Sequence, residues 1–80
     1  MSGFDLLALF KEAALEVGNH KLDGLSMESK LADLNIKSVE VMEIVGYIED
    51  RVKVRLSDDD LSRLATLRDL ERLIEKTRSP

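Results

Sequence analysis

The sequence has no cysteine, no tryptophan, one tyrosine, two phenylalanines and one proline among its 80 residues. Because cysteine is absent, the chain can form neither disulfides nor thiolate metal sites, which fits a reducing compartment. Long hydrophobic runs are also absent, since the apolar run Leu6–Phe10 is too short to span a membrane. The first five residues lack the basic start of a signal peptide. We therefore expect a cytoplasmic protein without membrane insertion.

Positive charge is scarce relative to negative charge. Twelve lysines and arginines stand against 16 aspartates and glutamates, and the formal net charge is −4 at pH 7. Nucleic acids and anionic membranes are bound through basic patches, so neither is expected as the main partner. An acidic surface instead favours partner proteins with basic docking surfaces.

The remaining composition is that of a small globular domain, with 44% hydrophobic and 35% charged residues. The sequence contains no internal repeat, low-complexity segment or linker. We therefore expect one monomeric domain over residues 1–80, with its core at about residues 4–76.

Apolar residues recur at helical spacing in three segments, and each segment predicts a helix with one buried face. The first helix is expected from about Phe4 to Val17. The second is expected to begin at Ser38, and the last to end at about Lys76. The predicted inward faces are Leu6, Phe10, Ala13, Ala14 and Val17 in the first helix, Val41, Ile44, Val45, Ile48 and Val52 in the second, and Leu67, Leu70, Leu73 and Ile74 in the last.

Capping boxes mark helix starts in this chain. In a capping box, a serine or threonine and an acid three residues later each accept a backbone N–H of the other. The sequence contains three such pairs at predicted helix starts, namely Ser2 with Asp5, Ser57 with Asp60, and Thr66 with Asp69. The second pair opens a short helix that runs to about Leu64. Together with the three longer helices, this predicts an all-α four-helix bundle.

The connections between the helices are expected to be irregular. Gly18–Asn19 stops the first helix. The segment His20–Lys37 is long for a small domain, and its spaced apolar residues predict that it is tied to the core. Within it, Asn35 is expected to have a positive φ. The segment Val52–Leu56 alternates like a strand, but no second alternating run exists to pair with it, so we expect an extended connector with Leu56 and Val54 turned inward.

The second helix combines a serine at its start with an acidic outer surface. Taken alone, Ser38 is most simply interpreted as the N-cap of this helix. The residue three positions on is Val41, so the hydroxyl lacks the acidic partner that the other helix starts have. No lysine or arginine occurs from Ser38 to Asp50. The outer surface carries the acids Glu40, Glu43, Glu49 and Asp50 and the apolar residues Val39 and Met42.

Other residues that often carry chemistry have simpler interpretations here. His20 is the only histidine and lies in a polar loop, so we interpret it as a surface residue. The run Ser57–Asp60 resembles the start of a calcium loop, which needs a glycine at the sixth position and a glutamate at the twelfth. Counted from Asp58, these positions hold Arg63 and Asp69. We therefore expect no metal site and no catalytic residue.

The segment Leu34-Asn-Ile-Lys-Ser-Val39, followed by Glu-Val-Met-Glu-Ile-Val, resembles the modification motif of acyl carrier proteins. In that family the motif reads Leu-Gly-x-Asp-Ser-Leu and precedes an acidic amphipathic helix. The similarity extends over about residues 4–76, because the helices, the long loop and the connector occur in the family's order and length. The chain departs from the motif twice, with Asn35 in place of the glycine and Lys37 in place of the aspartate.

The resemblance implies a carrier protein and not an enzyme. Ser38 would receive 4′-phosphopantetheine from coenzyme A through a separate phosphopantetheinyl transferase. The arm would carry acyl or related intermediates as thioesters between acyl-loading and acyl-processing enzymes of a fatty-acid, polyketide or other specialised pathway. The second helix would be the face that these partners recognise, and the matching docking positions are Val39, Glu40, Met42, Glu43, Glu49 and Asp50.

The cation at Lys37 raises two hypotheses. One is that a positive charge where a transferase expects an acid narrows the choice of transferase or partner, and so marks a specialised carrier. The alternative is an unmodified helical protein–protein interaction module that kept the fold and lost the arm. Loading of Ser38 with phosphopantetheine distinguishes the two.

Overall fold

The computed structural model describes residues 5–78, and this part of the chain is a bundle of four α-helices. Helix α1 spans Leu6–Gly18, α2 spans Ser38–Val52, α3 spans Asp58–Ser62, α4 spans Leu67–Arg78, and a short 3₁₀ helix spans Leu31–Leu34. Three α-helices are long and α3 is short, so the predicted all-α four-helix architecture is confirmed. None of the helices in residues 5–78 has the length and apolar character needed to cross a lipid bilayer.

Helix α1 is bounded by two residues with non-helical backbone. Asp5 is the N-cap, and its side chain accepts the N–H of Ala8 at 3.2 Å. The predicted role of Asp5 as the acidic partner of a Ser2 cap is therefore wrong, because Asp5 itself caps the helix. Ser2 and the predicted start at Phe4 lie outside the described residues. At the other end Asn19 has a left-handed φ of 56°, which confirms the predicted stop.

The three long helices meet in one hydrophobic core. Its fully buried members are Leu6, Phe10, Ala13 and Ala14 of α1, Ile44 and Ile48 of α2, and Leu67, Leu70 and Ile74 of α4. All of them belong to the faces that helical spacing predicted. Full burial of one large apolar side chain contributes roughly 1.5–3 kcal/mol. This packing fixes the rotation of α2 about its own axis and leaves the opposite surface of that helix to solvent.

The long loop between α1 and α2 is tied to the core, as predicted. Its spaced apolar residues all pack against the core, namely Leu22, Leu25, Leu31, Leu34 and Ile36. Main-chain hydrogen bonds also attach the loop to the junction of α3 and α4. The N–H of Leu31 donates to the carbonyl of Ala65 at 2.9 Å, and that of Arg68 donates to the carbonyl of Met27 at 2.8 Å. The loop therefore has a fixed path into α2.

After α2 the chain forms a connector and then helix α3, in the predicted order. The predicted connector Val52–Leu56 is not extended throughout, because Val52 ends α2 and Lys53 has a left-handed φ of 62°. Val54 and Leu56 are partly buried against the core, as predicted. Ser57 caps α3 by accepting the N–H of Asp60 at 3.1 Å. The predicted end of α3 at Leu64 is wrong, because the helix closes at Ser62. Beyond it the Leu64 N–H bonds three residues back, to a carbonyl 3.2 Å away, in a tighter turn.

Helix α4 opens with the full predicted capping box. The Thr66 hydroxyl accepts the N–H of Asp69 at 3.2 Å, and the Asp69 carboxylate accepts the N–H of Thr66 at 3.1 Å. Backbone N–H donors from Thr66 and Ala65 hold the pKa of Asp69 below its ordinary value. The helix continues to Arg78, two residues beyond the predicted end at Lys76.

Candidate functional site

Ser38 is the first residue of α2 and does not cap it. The N-cap is Lys37, with an extended backbone at φ −64° and ψ 148°, and no side chain caps this helix start. The carbonyl of Lys37 accepts the first intrahelical bond, from the N–H of Val41 at 2.9 Å. The interpretation of Ser38 as the N-cap is therefore wrong by one residue. As a consequence the serine hydroxyl takes no part in closing the helix.

The Ser38 hydroxyl is open to solvent. The residue is exposed, and among residues 5–78 no hydrogen-bond partner contacts its Oγ atom. The turn that places Ser38 at the start of α2 depends on Asn35, whose φ of 61° confirms the predicted left-handed conformation. Between these two residues, Ile36 is anchored against the core. The site is thus a serine whose preceding backbone is anchored to the core, at the end of a helix where the backbone dipole is positive.

A groove of about 440 Å³ opens beside Ser38. It lies between the 3₁₀ helix, the first turn of α2 and α3, and its lining is Leu31, Ala32, Ile36, Ser38, Val41, Met42, Asp58, Leu61, Ser62 and Leu64. Most of these side chains are apolar, whereas Asp58 and Ser62 supply a polar edge. The contribution of α3 to this site was not predicted from the sequence. The sequence feature that could have indicated this contribution is the pair Leu61 and Leu64, two apolar residues that follow the capping pair of α3 at helical spacing.

The four acids on the outer surface of α2 are not all free of partners within the protein. The Nε2 atom of His20 hydrogen-bonds to Oε2 of Glu40 at 3.1 Å, and both side chains are partly buried. This hydrogen bond lowers the pKa of Glu40, and the charge of Lys37 acts in the same direction. His20 was predicted to be a surface residue, and 29% of its side chain is exposed, so it lies at the surface but is partly covered by this contact. Sequence pattern gave no signal for this pair, which is separated by 20 residues.

Glu49 is also engaged within the protein. Its Oε2 atom accepts the backbone N–H of Leu56 at 2.6 Å, which ties the connector to α2. Glu43 and Asp50 remain exposed and make no ion pair within the described part of the chain. Two of the four predicted docking acids therefore present free carboxylates.

The outer surface of α2 near Ser38 is apolar and bordered by a cation. Val39 is 65% exposed and Met42 is 47% exposed, which confirms the ridge that the sequence predicted. Lys37 is exposed, and in the part of the chain that the structure describes it forms no salt bridge. A docking protein would therefore meet a positive charge, an apolar ridge and then two acids along the helix.

The arrangement supplies a nucleophile and little else. Across residues 5–78, no histidine, aspartate or glutamate is hydrogen-bonded to the Ser38 hydroxyl, and no group of acidic or histidine side chains could hold a metal ion.

Comparison with known proteins identifies similar sequences over most of the chain. The family model for the phosphopantetheine attachment site matches residues 8–74. The acyl carrier protein of Exiguobacterium sp. is 32% identical over 76 residues, which cover 94% of this chain and 96% of that protein. The acyl carrier protein of Wolinella succinogenes is 32% identical over 66 residues, covering 81% of this chain and 87% of that protein.

Two further similarities concern a larger protein and a solved structure. A non-reducing polyketide synthase of Aspergillus terreus is 30% identical over 66 residues, and although these cover 82% of this chain, the chain spans only 3% of the synthase. The crystal structure of an acyl carrier protein from Thermotoga maritima superposes with a TM-score of 0.81 at 28% identity. That alignment covers 90% of this chain and 85% of the other.

Proposed function

This chain belongs to the acyl carrier protein family, and on that premise we propose that Ser38 is the attachment site of the family's 4′-phosphopantetheine group. The protein then carries acyl or related intermediates between enzymes of a fatty-acid, polyketide or other specialised pathway. When attached, the group supplies a terminal thiol that holds the cargo as a thioester. In this proposal residues 1–80 form one non-catalytic carrier domain that acts in the cytoplasm.

One observation carries this proposal, namely the exposed and unbonded hydroxyl of Ser38 in the first turn of α2. The residues around it fit a covalent arm. Attachment would break no hydrogen bond of the described residues and would not uncap the helix, because Lys37 occupies the N-cap position. An anionic phosphodiester at this place would also lie at the positive end of the helix dipole.

In the proposed attachment reaction the transferase supplies the base, because no described residue of this chain is hydrogen-bonded to the serine hydroxyl. The Ser38 oxygen forms a bond to the phosphorus that bears the pantetheine portion of coenzyme A, and the bond from that phosphorus to the adenosine bisphosphate breaks. Adenosine 3′,5′-bisphosphate leaves, and the hydroxyl proton passes to a base of the transferase. Ser38 supplies the nucleophile, and the left-handed turn at Asn35 positions it.

The groove supports a cargo with apolar character. Its walls include Leu31, Ile36 and Leu61, and it begins directly at the serine. Each methylene group that leaves water for such a wall gains about 0.8 kcal/mol. Short acyl chains would thereby be partly shielded, while a longer or more polar cargo would extend past the edge formed by Asp58 and Ser62.

Partner enzymes are proposed to approach along the outer surface of α2. The free carboxylates of Glu43 and Asp50 suit a basic partner, and charge pairing of this kind gives fast and weak encounters. Tethering the cargo raises its effective concentration at each enzyme, so weak encounters are sufficient. Lys37 is proposed to favour a transferase or partner that presents an acid beside Ser38.

The alternative, an unmodified interaction module, is favoured by one observation, the cation at Lys37. Intact mass spectrometry after incubation with coenzyme A, magnesium and a broad-range phosphopantetheinyl transferase distinguishes the two functions. We expect the wild type to gain one phosphopantetheine and Ser38→Ala to gain none. Ser62→Ala is the matched control, because Ser62 is an exposed serine on the same groove and its loss should leave loading intact. No gain by the wild type would favour the interaction module.

A further inference from the structure

A second groove, of about 210 Å³, lies between α1 and the start of the loop that follows it. Its lining consists of Lys11, Leu15, His20, Lys21, Leu22 and Asp23. Leu15 is 43% exposed, and in the described part of the chain the other exposed large apolar side chains are Val39 and Met42 of α2. One exposed leucine is ordinary on a protein surface. Here, however, Leu22 lines the same groove, so an apolar side chain of another molecule would meet two apolar walls.

The charge around this groove is positive, in a chain whose formal net charge is −4. Lys11 and Lys21 are both exposed, and neither forms a salt bridge among residues 5–78. Lys11 precedes Leu15 by four residues, so these two side chains share one face of α1. Asp23 is the single acid of the lining. The groove therefore combines apolar walls with an excess of positive charge.

The two acids of α1 do not cancel this charge, because they lie toward α2. Glu12 accepts a hydrogen bond from the Tyr47 hydroxyl at 2.6 Å and forms an ion pair with Arg51 at 2.7 Å. The hydrogen bond to Glu12 raises the pKa of Tyr47, and the charge of Glu16 acts in the same direction, so both carboxylates are near this tyrosine. The face of α1 that borders the groove therefore keeps its positive charge.

The groove lies at the same end of the bundle as Ser38. His20 belongs to its lining, and the Nε2 atom of His20 hydrogen-bonds to Glu40 in the first turn of α2, two residues beyond the serine. The lining contains no residue of α2. The groove is therefore separate from the outer surface of α2, although both are close to the start of that helix.

We propose that this groove is a second docking surface, which receives an apolar side chain of a partner protein whose flanking carboxylates pair with Lys11 and Lys21. Its use by a carrier rests on the proposed function, because a partner seated here would lie near an arm attached to Ser38. The outer surface of α2 would stay open meanwhile. The chain would thereby distinguish two classes of partner by the sign of their charge, basic at α2 and acidic at the groove.

Two synthetic peptides of opposite charge test this assignment on the protein without a phosphopantetheine arm. One peptide is Glu-Glu-Leu-Glu-Glu and the other is Lys-Lys-Leu-Lys-Lys, both with blocked ends. Each is titrated at low salt while amide chemical shifts are followed by NMR. We expect the acidic peptide to shift the amides of Leu15, Lys21 and Leu22, and the basic peptide to shift those of Glu43 and Asp50.

Substitutions at the groove should weaken binding of the acidic peptide. Lys21→Glu should raise its Kd by about threefold to tenfold, because an attraction between exposed charges becomes a repulsion. Leu15→Ser should raise it by about threefold or more, because an apolar wall is lost. Lys76→Glu is the matched control, since Lys76 is an exposed lysine of α4 outside the groove, and it should change the Kd by less than about twofold.

Three results would overturn the docking surface. They are an absence of shifts at the groove, shifts spread equally over the other exposed cations, and an equal loss of affinity for Lys21→Glu and Lys76→Glu. Shifts at the groove that grow with protein concentration in the absence of peptide would instead assign it to a second copy of the chain, and would overturn the proposal as well. None of these results depends on loading of Ser38, which fails separately if coenzyme A and a transferase add no group.

Discussion

The Nε2 atom of His20 lies 3.1 Å from Oε2 of Glu40, and this contact joins the loop after α1 to the first turn of α2. Glu40 is two residues beyond Ser38, so the pair supports the backbone that presents the serine. Gly18 makes room for it. A Cβ atom at Gly18 would lie 2.6 Å from the His20 ring and 2.7 Å from the Glu40 carboxylate, which is closer than such atoms approach.

The His20–Glu40 pair should make stability depend on pH in the acid range. The hydrogen bond from His20 lowers the pKa of Glu40 in the folded state, so folding favours the carboxylate. This contribution is fully present above the ordinary pKa of glutamate and is lost as pH falls through the lowered folded pKa. We expect the thermal midpoint of wild type to exceed that of Glu40→Gln at neutral pH, and the two midpoints to converge as the pH falls below the ordinary pKa of glutamate. A constant difference across that range would contradict the pairing.

Alanine substitutions at two glycines should act in opposite ways. Gly18→Ala should push His20 and Glu40 apart and abolish the acid-range dependence described for Glu40, without a gain in thermal midpoint. Gly46→Ala, which meets no neighbour, should keep that dependence and gain stability. Thermal unfolding of both variants across the same pH range measures this, and a Gly18→Ala protein with wild-type pH dependence would count against the close approach.

The left-handed turn at Asn35 should tolerate glycine but not alanine. A side chain with a Cβ atom and no local hydrogen bond is disfavoured at a φ of 61°, and the cost is about 1 kcal/mol for alanine. Asn35→Gly should remain within about 0.5 kcal/mol of wild type, because glycine has no such restriction. Denaturant unfolding gives both free energies, and equal stability for the alanine and glycine variants would show that this turn is not as described.

Replacement of Lys37 by aspartate should speed loading by a broad-range transferase. A carboxylate restores the charge of the family motif and is favourable at a helix N-terminus by about 0.3–1 kcal/mol. We expect kcat/KM to rise by about threefold to tenfold, with a larger effect at low salt, since the contact is exposed. Lys11→Asp provides the matched charge change on α1 and should not alter the rate. Unchanged kinetics for Lys37→Asp would remove the proposed role of this cation in partner choice.

Periodicity and capping chemistry were sufficient to predict most of the fold. The buried positions Ile44 and Ile48 follow from helical spacing, and the reciprocal bonds of Thr66 and Asp69 follow from a local motif of four residues. These features depend on residues that are close in sequence. Local sequence patterns therefore predict both the fold class and the position of Ser38 at the start of α2.

The hydrogen bonds that Glu40 and Glu49 make within the protein could not be predicted from local sequence patterns. The pairing of Glu40 with His20 depends on the path of an irregular loop, and that of Glu49 with Leu56 depends on how the connector turns back after α2. The cap of α2 also differed from expectation, because a shift of one residue in backbone conformation decides whether Lys37 or Ser38 precedes the helix. Sequence spacing alone does not fix either feature.

The position of the modification is the most direct test of the proposed carrier function. Trypsin cleaves after Lys37 and after Arg51, and the released peptide Ser38–Arg51 contains one serine and no threonine. Peptide mass spectrometry of the loaded protein should place a single phosphopantetheine on this peptide, and its fragments should assign the group to Ser38. A phosphopantetheine on any other peptide, or none after incubation with coenzyme A and transferase, would contradict the proposal.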